Sequence, residues 1–353
     1  MRVLIVGNRY SSNMDVGKSP EYRTFKIAGA LGEHGIDCQI WLVNYKNGEH
    51  YTDPNGRFFS PSARNPNWLK TRRILRRQLS DFNPTHVWFT NGPIVGLVAY
   101  LICPALLSKP IIYEQLDNYD TYFPKWLLPF SWMHRALNRR SILSLYVTKE
   151  LMSHDLLSGG EQMVFPNGFD PAVFKPMEQN TCRQLLGLEE HQTYVGYAGS
   201  LDVRVNDNLQ QILQLSKTLE VRFAIASNST QPEWLAQYPN VDWLGGKSIS
   251  EVATVINACD LMLIPNRQDD FTQYCFPSKL LEYMGCGTPF LITPINSLNG
   301  MVPEQYISSF DMQHFVADIE RALANPQSPA RNEDFSWQGL LAGVVQRLQG
   351  IEP

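Results

Sequence analysis

Apolar residues recur along the chain in two rhythms. Short β-rich runs alternate with stretches in which apolar positions return every three or four residues, and the connecting lengths suit parallel strands joined by helical crossovers. In the first half the runs predict strands at 3–6, 38–43, 87–90, 111–114 and 142–147. A helix is expected over 20–34, with Ser19 at its N-cap, Pro20 at its first position and Gly35 closing it in a left-handed conformation. A second series of strands is expected at 194–197, 221–226, 241–244, 261–265 and 290–293.

Between the two series lies "VFPNGFDPAVFKP", residues 164–176, whose three prolines and one glycine interrupt any periodic pattern. It reads as a linker. At 353 residues the chain also exceeds most single cores. The expectation is an α/β protein of two Rossmann-like, doubly wound domains, 1–165 and 166–335, with a helix in 336–353 packing back toward the first. Two such sheets present their strand C-termini to a central cleft, the place where open α/β sheets bind ligands.

Composition adds a partner class. Residues 1–165 hold 19 basic against 13 acidic side chains, the remainder 11 against 21. The excess is local, since no acid occurs between Asp53 and Asp81 or between Asp120 and Glu150. In "NWLKTRRILRRQL", residues 67–79, Trp68, Thr71, Leu75 and Leu79 share one helical stripe, while Lys70, Arg73 and Arg77 share another, flanked by Arg72 and Arg76. In "YFPKWLLPFSWMHRALNRR", residues 122–140, Trp126, Leu127, Leu128, Phe130 and Trp132 mix with Lys125, Arg135, Arg139 and Arg140. Either stretch describes a solvated helix face; together they suggest an anionic membrane surface. No nucleic-acid module is recognisable. The opening "MRVLIVGN" is too short for a secretory signal and no apolar run reaches roughly 18 residues, so a cytoplasmic protein is expected, peripheral to the membrane at most. Six cysteines without CxxC spacing read as reduced core thiols, and the histidines show no metal-ligand spacing.

Candidate chemistry begins with Gly17-Lys18-Ser19, which is not a P-loop: the first glycine of that motif would fall at Ser12. The densest motif is "FPSKLLEYMGCGTPFLI", residues 276–292. Pro277-Ser278 can start a helix whose free N–H groups suit an anionic diphosphate, with Lys279 in the first turn and Glu282 three residues on. A carboxylate there can accept from a ribose diol; the same residues also describe a surface helix with an intrahelical Lys–Glu pair. In "VGYAGSLDVRVNDN", residues 195–208, Gly199-Ser200 follow a strand and Arg204 lies in the next loop, suited either to a phosphate or to solvent.

"FPNGFDPAVFKP", "VGYAGSL", "CDLMLIPN" and "FPSKLLEYMGCGTP" occur in an order and spacing that resemble nucleotide-sugar glycosyltransferases of the GT-B fold, the group-1, family-four kind. The resemblance covers nearly the whole chain and is strongest from residue 164 to 294. It implies a nucleotide-sugar donor in the C-terminal domain and a saccharide or lipid-linked acceptor on the N-terminal one, in polysaccharide or glycolipid assembly, with no cofactor or metal. By position, Glu282 would hold the ribose, Lys279 and Arg204 would neutralise the diphosphate, and Gly199, Ser200 and Ser278 would line that pocket. Many relatives carry a second glutamate eight residues before the ribose glutamate, where this chain has Tyr274. Asn8 and Arg9, in the loop after the first strand, are expected on the sugar or acceptor side. "IIYEQLDNYDTYF", residues 111–123, resembles the Tyr-Asp/Glu-x-x-Asp stretch of bacterial polysaccharide glycosyltransferases, placing Glu114 and Asp117 at a strand end. Asp117 could serve as a general base toward the acceptor hydroxyl or as a loop cap. Same-fold rivals are a nucleotide-sugar 2-epimerase and a non-catalytic binding subunit; an oxidoreductase is disfavoured because no Gly-x-Gly-x-x-Gly follows the first strand.

Overall fold

The computed structural model describes residues 1–350 apart from 12–13, 91, 120–127, 156–157, 271 and 299. The chain divides into two compact units, residues 1–166 with 337–353, and residues 167–336.

The first unit contains strands β1 (Arg2–Asn8), β2 (Tyr10–Ser11), β3 (Met14–Asp15), β4 (Asp37–Val43), β5 (Tyr51–Thr52), β6 (Phe59–Ser60), β7 (His86–Phe89), β8 (Ile111–Gln115), β9 (Ser141–Tyr146) and β10 (Glu161–Val164). Its helices are α1 (Arg23–Glu33), α2 (Trp68–Phe82), α3 (Pro93–Ile102), α4 (Leu128–Arg140) and α5 (Lys149–His154), joined by the C-terminal helix of the chain, Trp337–Gly350. The main sheet runs in the order β10-β9-β8-β7-β1-β4-β6-β5 and is parallel except at the β5–β6 edge. Strand alternation divides the core between the two faces. Val3, Ile5, Trp88 and Ile112 pack on one side with α1 and the C-terminal helix, while Leu4, Val6, Val87, Phe89 and Tyr113 pack on the other with α2 to α4. Each such side chain, fully buried, contributes about 1.5–3 kcal/mol, and burial on both faces explains why these strands read as continuous apolar runs.

The expected start of α1 needs correction. Ser19-Pro20-Glu21-Tyr22 forms a turn, closed by a 2.9 Å bond from the Tyr22 amide to the Ser19 carbonyl, and the helix starts at Arg23. Proline's fixed φ suits the second position of a turn as well as the first of a helix. At the other end Gly35 adopts φ +74° and closes the helix as expected. Gly17 belongs to a single helical turn capped by Asp15, which accepts the Gly17 amide at 3.1 Å. A Cβ at Gly17 would lie 2.5 Å from the Phe58 ring, so this glycine serves packing rather than phosphate.

The second unit is a five-stranded parallel sheet, with β11 (Tyr194–Ala198), β12 (Arg222–Ala226), β13 (Val241–Gly245), β14 (Leu261–Ile264) and β15 (Phe290–Ile292) in the order β13-β12-β11-β14-β15. Its helices are α6 (Gln179–Leu186), α7 (Asn206–Leu215), α8 (Ile249–Ala258), α9 (Ser278–Cys286) and α10 (Met312–Ala324), which makes the C-terminal helix α11. Leu209, Ile212 and Leu213 of α7 and Phe315 and Ile319 of α10 cover one face through Val195, Ile225 and Leu263. Within this unit the entering and leaving chain segments pair, Phe169 bridging Ser336.

Candidate functional site

Of the residues expected to hold a donor, Gly199, Ser200 and Lys279 meet at the C-terminal end of β11. Gly199 follows that strand at φ +150°, and a Cβ there would lie 2.6 Å from the Lys279 ammonium. Only glycine allows this approach. Lys279 stands in the first turn of α9, where its Nζ donates to the Tyr197 hydroxyl at 3.0 Å and sits 4.4 Å from the centre of the same ring. The Tyr197 hydroxyl in turn donates to the Ser200 carbonyl at 2.7 Å. The result is a chain of bonds that holds the ammonium over the Gly199-Ser200 turn.

Proline at the N-cap of α9 offers no side-chain acceptor, so the first amides of the helix and exposed Ser278 remain open to an anion. The loop before the helix is held by Asn167, which donates to the Phe276 carbonyl at 2.9 Å, and by Ser297, which donates to the Cys275 carbonyl at 2.7 Å. Gly287 ends the helix at φ +71°. Glu282, one turn beyond Lys279, is half-buried and makes no hydrogen bond or ion pair with a described residue. Burial pushes its carboxyl up to about 7, against the opposing pull of Lys279. An acceptor group without a donor beside a cation suits a ligand that brings hydroxyls.

The remaining sequence candidates are placed as follows. Arg204 folds back onto Asp202, with Nε at 3.1 Å from both carboxylate oxygens. Burial works to raise the Asp202 carboxyl, but hydrogen bonds and charge from Arg204, with a share from Lys279, hold it below the usual range. Asp269, which is not one of those candidates, accepts Arg267 at 2.8 Å and the Thr272 amide at 2.7 Å, closing its own turn. Tyr274 is half-buried in the turn that follows. In the first unit Asn8 ends β1, and Arg9 follows it and pairs with Asp15 at 3.2 Å. Asp117 lies two residues beyond β8, close enough to help raise the buried Tyr119 hydroxyl, after burial and Tyr113.

Glu114 differs from its neighbours. It is 1 % exposed and receives Arg23 Nε at 2.8 Å and the Thr90 hydroxyl. Arg23 also donates to the Phe165 and Pro166 carbonyls at 3.0 and 2.8 Å and lies 4.6 and 5.1 Å from the centres of the Phe165 and Trp337 rings. This carboxylate sits inside a packed cationic network. Sequence reasoning missed that network, as it missed Tyr197 and Asp202; Arg23 and Glu114 are 91 positions apart, and Tyr197 and Lys279 82 apart, so no local spacing connects them.

Residues 192–325 match the family model described as Glycosyl transferases group 1. Among curated proteins the chain is 25% identical over 179 residues to the D-inositol 3-phosphate glycosyltransferase of Stackebrandtia nassauensis, which covers 45% of this chain and 39% of that one. It is 24% identical over 186 residues to the putative teichuronic acid biosynthesis glycosyltransferase TuaH of Bacillus subtilis, covering 50% and 46%. The chain thus spans less than half the length of these relatives. Among solved structures it resembles HepE of Anabaena, in complex with UDP and glucose, with TM-score 0.75 and 15% identity over 99% of this chain and 100% of that one. The sucrose-phosphate synthase of Thermosynechococcus elongatus gives TM-score 0.74 and 13% identity over 99% and 98%. The chain therefore has the GT-B fold, and its segment 192–325 matches the group 1 glycosyltransferase family.

Proposed function

We propose that the protein transfers a sugar from a nucleoside-diphosphate sugar, held on the second unit, to a saccharide or lipid-linked acceptor held on the first, in polysaccharide or glycolipid assembly. The observation that carries this reading is the ammonium of Lys279, fixed over the Gly199 turn at the uncapped start of α9, with the Glu282 carboxylate, which no described residue hydrogen-bonds, one turn on. The diphosphate lies against Lys279 and the first amides of α9, where negative charge grows as the sugar departs. Glu282 accepts the ribose hydroxyls, and Asp117 orients or deprotonates the acceptor hydroxyl. HepE, solved with UDP and with UDP-glucose, supports the donor class, and TuaH supports the polysaccharide setting.

The test is nucleoside-diphosphate binding as a function of pH, read as a shift in melting temperature, followed by incubation with UDP-sugars. Ribose hydroxyls stabilise the ionised carboxylate, whereas unliganded Glu282 is protonated below about pH 7. Affinity should therefore rise as pH climbs toward 7 and level off above it. Glu282→Ala should lose about 1.5–3 kcal/mol of binding at pH 8 and show only the titration of the phosphate itself. Absence of any nucleotide-induced shift, or formation of an epimer from donor alone, would overturn the reading.

Membrane attachment belongs to the same proposal. Thr71, Leu75 and Leu79 of α2 are buried while Lys70, Arg73, Arg76 and Arg77 face solvent, as the sequence stripe predicts. Leu69 is 73% exposed, and one turn later Arg72 donates to the carbonyl of Leu101, itself 49% exposed. Trp132, Arg135, Arg139 and Arg140 of α4 are also exposed; Lys125, Trp126 and Leu127 lie outside the described residues. Among the described residues no helix is long and apolar enough to cross a membrane. Such a surface gains about 1 kcal/mol per basic residue near anionic lipid. Co-sedimentation with anionic liposomes should be strong at low salt and lost when Lys70, Arg73, Arg76 and Arg77 are all glutamine. Equal sedimentation of the two proteins would refute attachment through α2.

A further inference from the structure

A second cluster lies in the first unit, at the C-terminal edge of the adjacent strands β1 and β4. The hairpin β2–β3 pairs Tyr10 with Asp15, and Asp15 holds the Arg9 guanidinium through two 3.2 Å bonds. Arg9 lies 4.7 Å from the centre of the Tyr51 ring, and Tyr51 rests on buried Phe58 at 5.7 Å. Tyr45 meets Tyr10 edge to face at 5.9 Å and donates its hydroxyl to the Tyr10 carbonyl at 2.9 Å. The Lys46 ammonium stands 4.3 Å over the Tyr10 ring.

The position of Lys46 is built rather than incidental. Fully buried Asn44 accepts the Lys46 amide at 2.9 Å, and its own backbone is tied to Pro61 and Ala63. Lys46 is exposed and makes no ion pair with a described acid, whereas Arg9 is already neutralised by Asp15. The cluster therefore presents one uncompensated cation beside three half-exposed tyrosine rings, at the sheet edge where open α/β folds bind ligands. Aromatic faces take the apolar C–H side of a sugar ring, and an ammonium resting on such a ring takes an anion.

We propose that Tyr10, Tyr45, Tyr51 and Lys46 form the acceptor-recognition surface, and that the acceptor is an anionic saccharide whose carboxylate or phosphate pairs with Lys46 while its ring stacks on tyrosine. The proposal rests on the transferase reading and narrows its acceptor class. Arg9 is a positioning residue here, fixing Tyr51 through its stack.

The experiment is ligand-observed NMR with millimolar glucuronic acid, glucose 1-phosphate and glucose, on the full chain and on Lys46→Ala, with UDP binding measured in the same samples. The wild-type protein should bind at least one of the two anionic sugars about tenfold more tightly than glucose. Which of the two is preferred assigns carboxylate or phosphate as the recognised group. The preference should shrink with added salt and vanish in Lys46→Ala. Unchanged UDP binding in the variant shows that it is folded. If UDP binds but the wild type treats glucose and the anionic sugars alike, or if Lys46→Ala keeps the preference, the acceptor proposal is wrong while the donor assignment stands. If the wild type binds the anionic sugars but not UDP, the donor assignment is what fails.

Discussion

Replacing Lys279 with alanine is expected to lower kcat about 10²-fold or more, with the protein still folded. The ammonium is held by the protein's own contacts, bonded to the Tyr197 hydroxyl and pressed against Gly199. A charge that need not reorganise stabilises a leaving diphosphate more than one that must be recruited, and it acts on charge that grows during reaction. The fold should survive because the Tyr197 hydroxyl keeps its own acceptor, the Ser200 carbonyl. Gly199→Ala should produce a similar loss by a different route: its Cβ would occupy the space 2.6 Å from the ammonium and push it out of line. Initial rates with a UDP-sugar, with and without a chelator, are the measurement. A change confined to KM would demote Lys279 to ground-state binding, and a requirement for added divalent metal would overturn the mechanism.

Arg23→Ala and Glu114→Ala should each destabilise the first unit by about 3–5 kcal/mol, the range for removing one partner of a buried ion pair. Arg23 is 8% exposed and satisfies a carboxylate and two backbone carbonyls at once. Those carbonyls, of Phe165 and Pro166, belong to the segment leaving the unit, and Trp337, whose ring centre lies 5.1 Å from the guanidinium, belongs to the segment returning to it. Losing either charge leaves the other buried and unpaired, whereas Arg23→Met with Glu114→Leu removes both and should recover most of the loss. The check is urea unfolding followed by a probe in the first unit, because two units need not unfold together. A loss under about 1 kcal/mol in both single variants would show that the network does not hold these segments.

Much of the architecture was legible before the structure. The strands β1, β7, β8, β11 and β14 could be found because parallel strands covered on both faces must be apolar throughout, and Gly35 marks a helix end because a left-handed residue is inexpensive only without a Cβ. The residues Gly199, Ser278, Lys279 and Glu282 could be named as a group because two local motifs place them after a strand and in the first turns of a helix.

The start of α1 was not legible, since Ser19-Pro20-Glu21 satisfies the rules for a helix N-terminus and for a turn alike, and only the packing of the segment selects the turn. Arg204 could be read as a phosphate ligand from its loop, yet Asp202, two residues before it, takes its guanidinium in the structure. By itself the sequence determined the α/β class, the two series of strands and the motif that starts α9, because each depends on local periodicity and backbone chemistry. Tertiary structure alone decided which distant side chains meet: Tyr197 under Lys279, Arg23 on Glu114, and Lys46 over Tyr10. The physical reason is that hydrogen bonds and cation–π contacts require placement within a few ångströms, which only chain crossing and close packing supply.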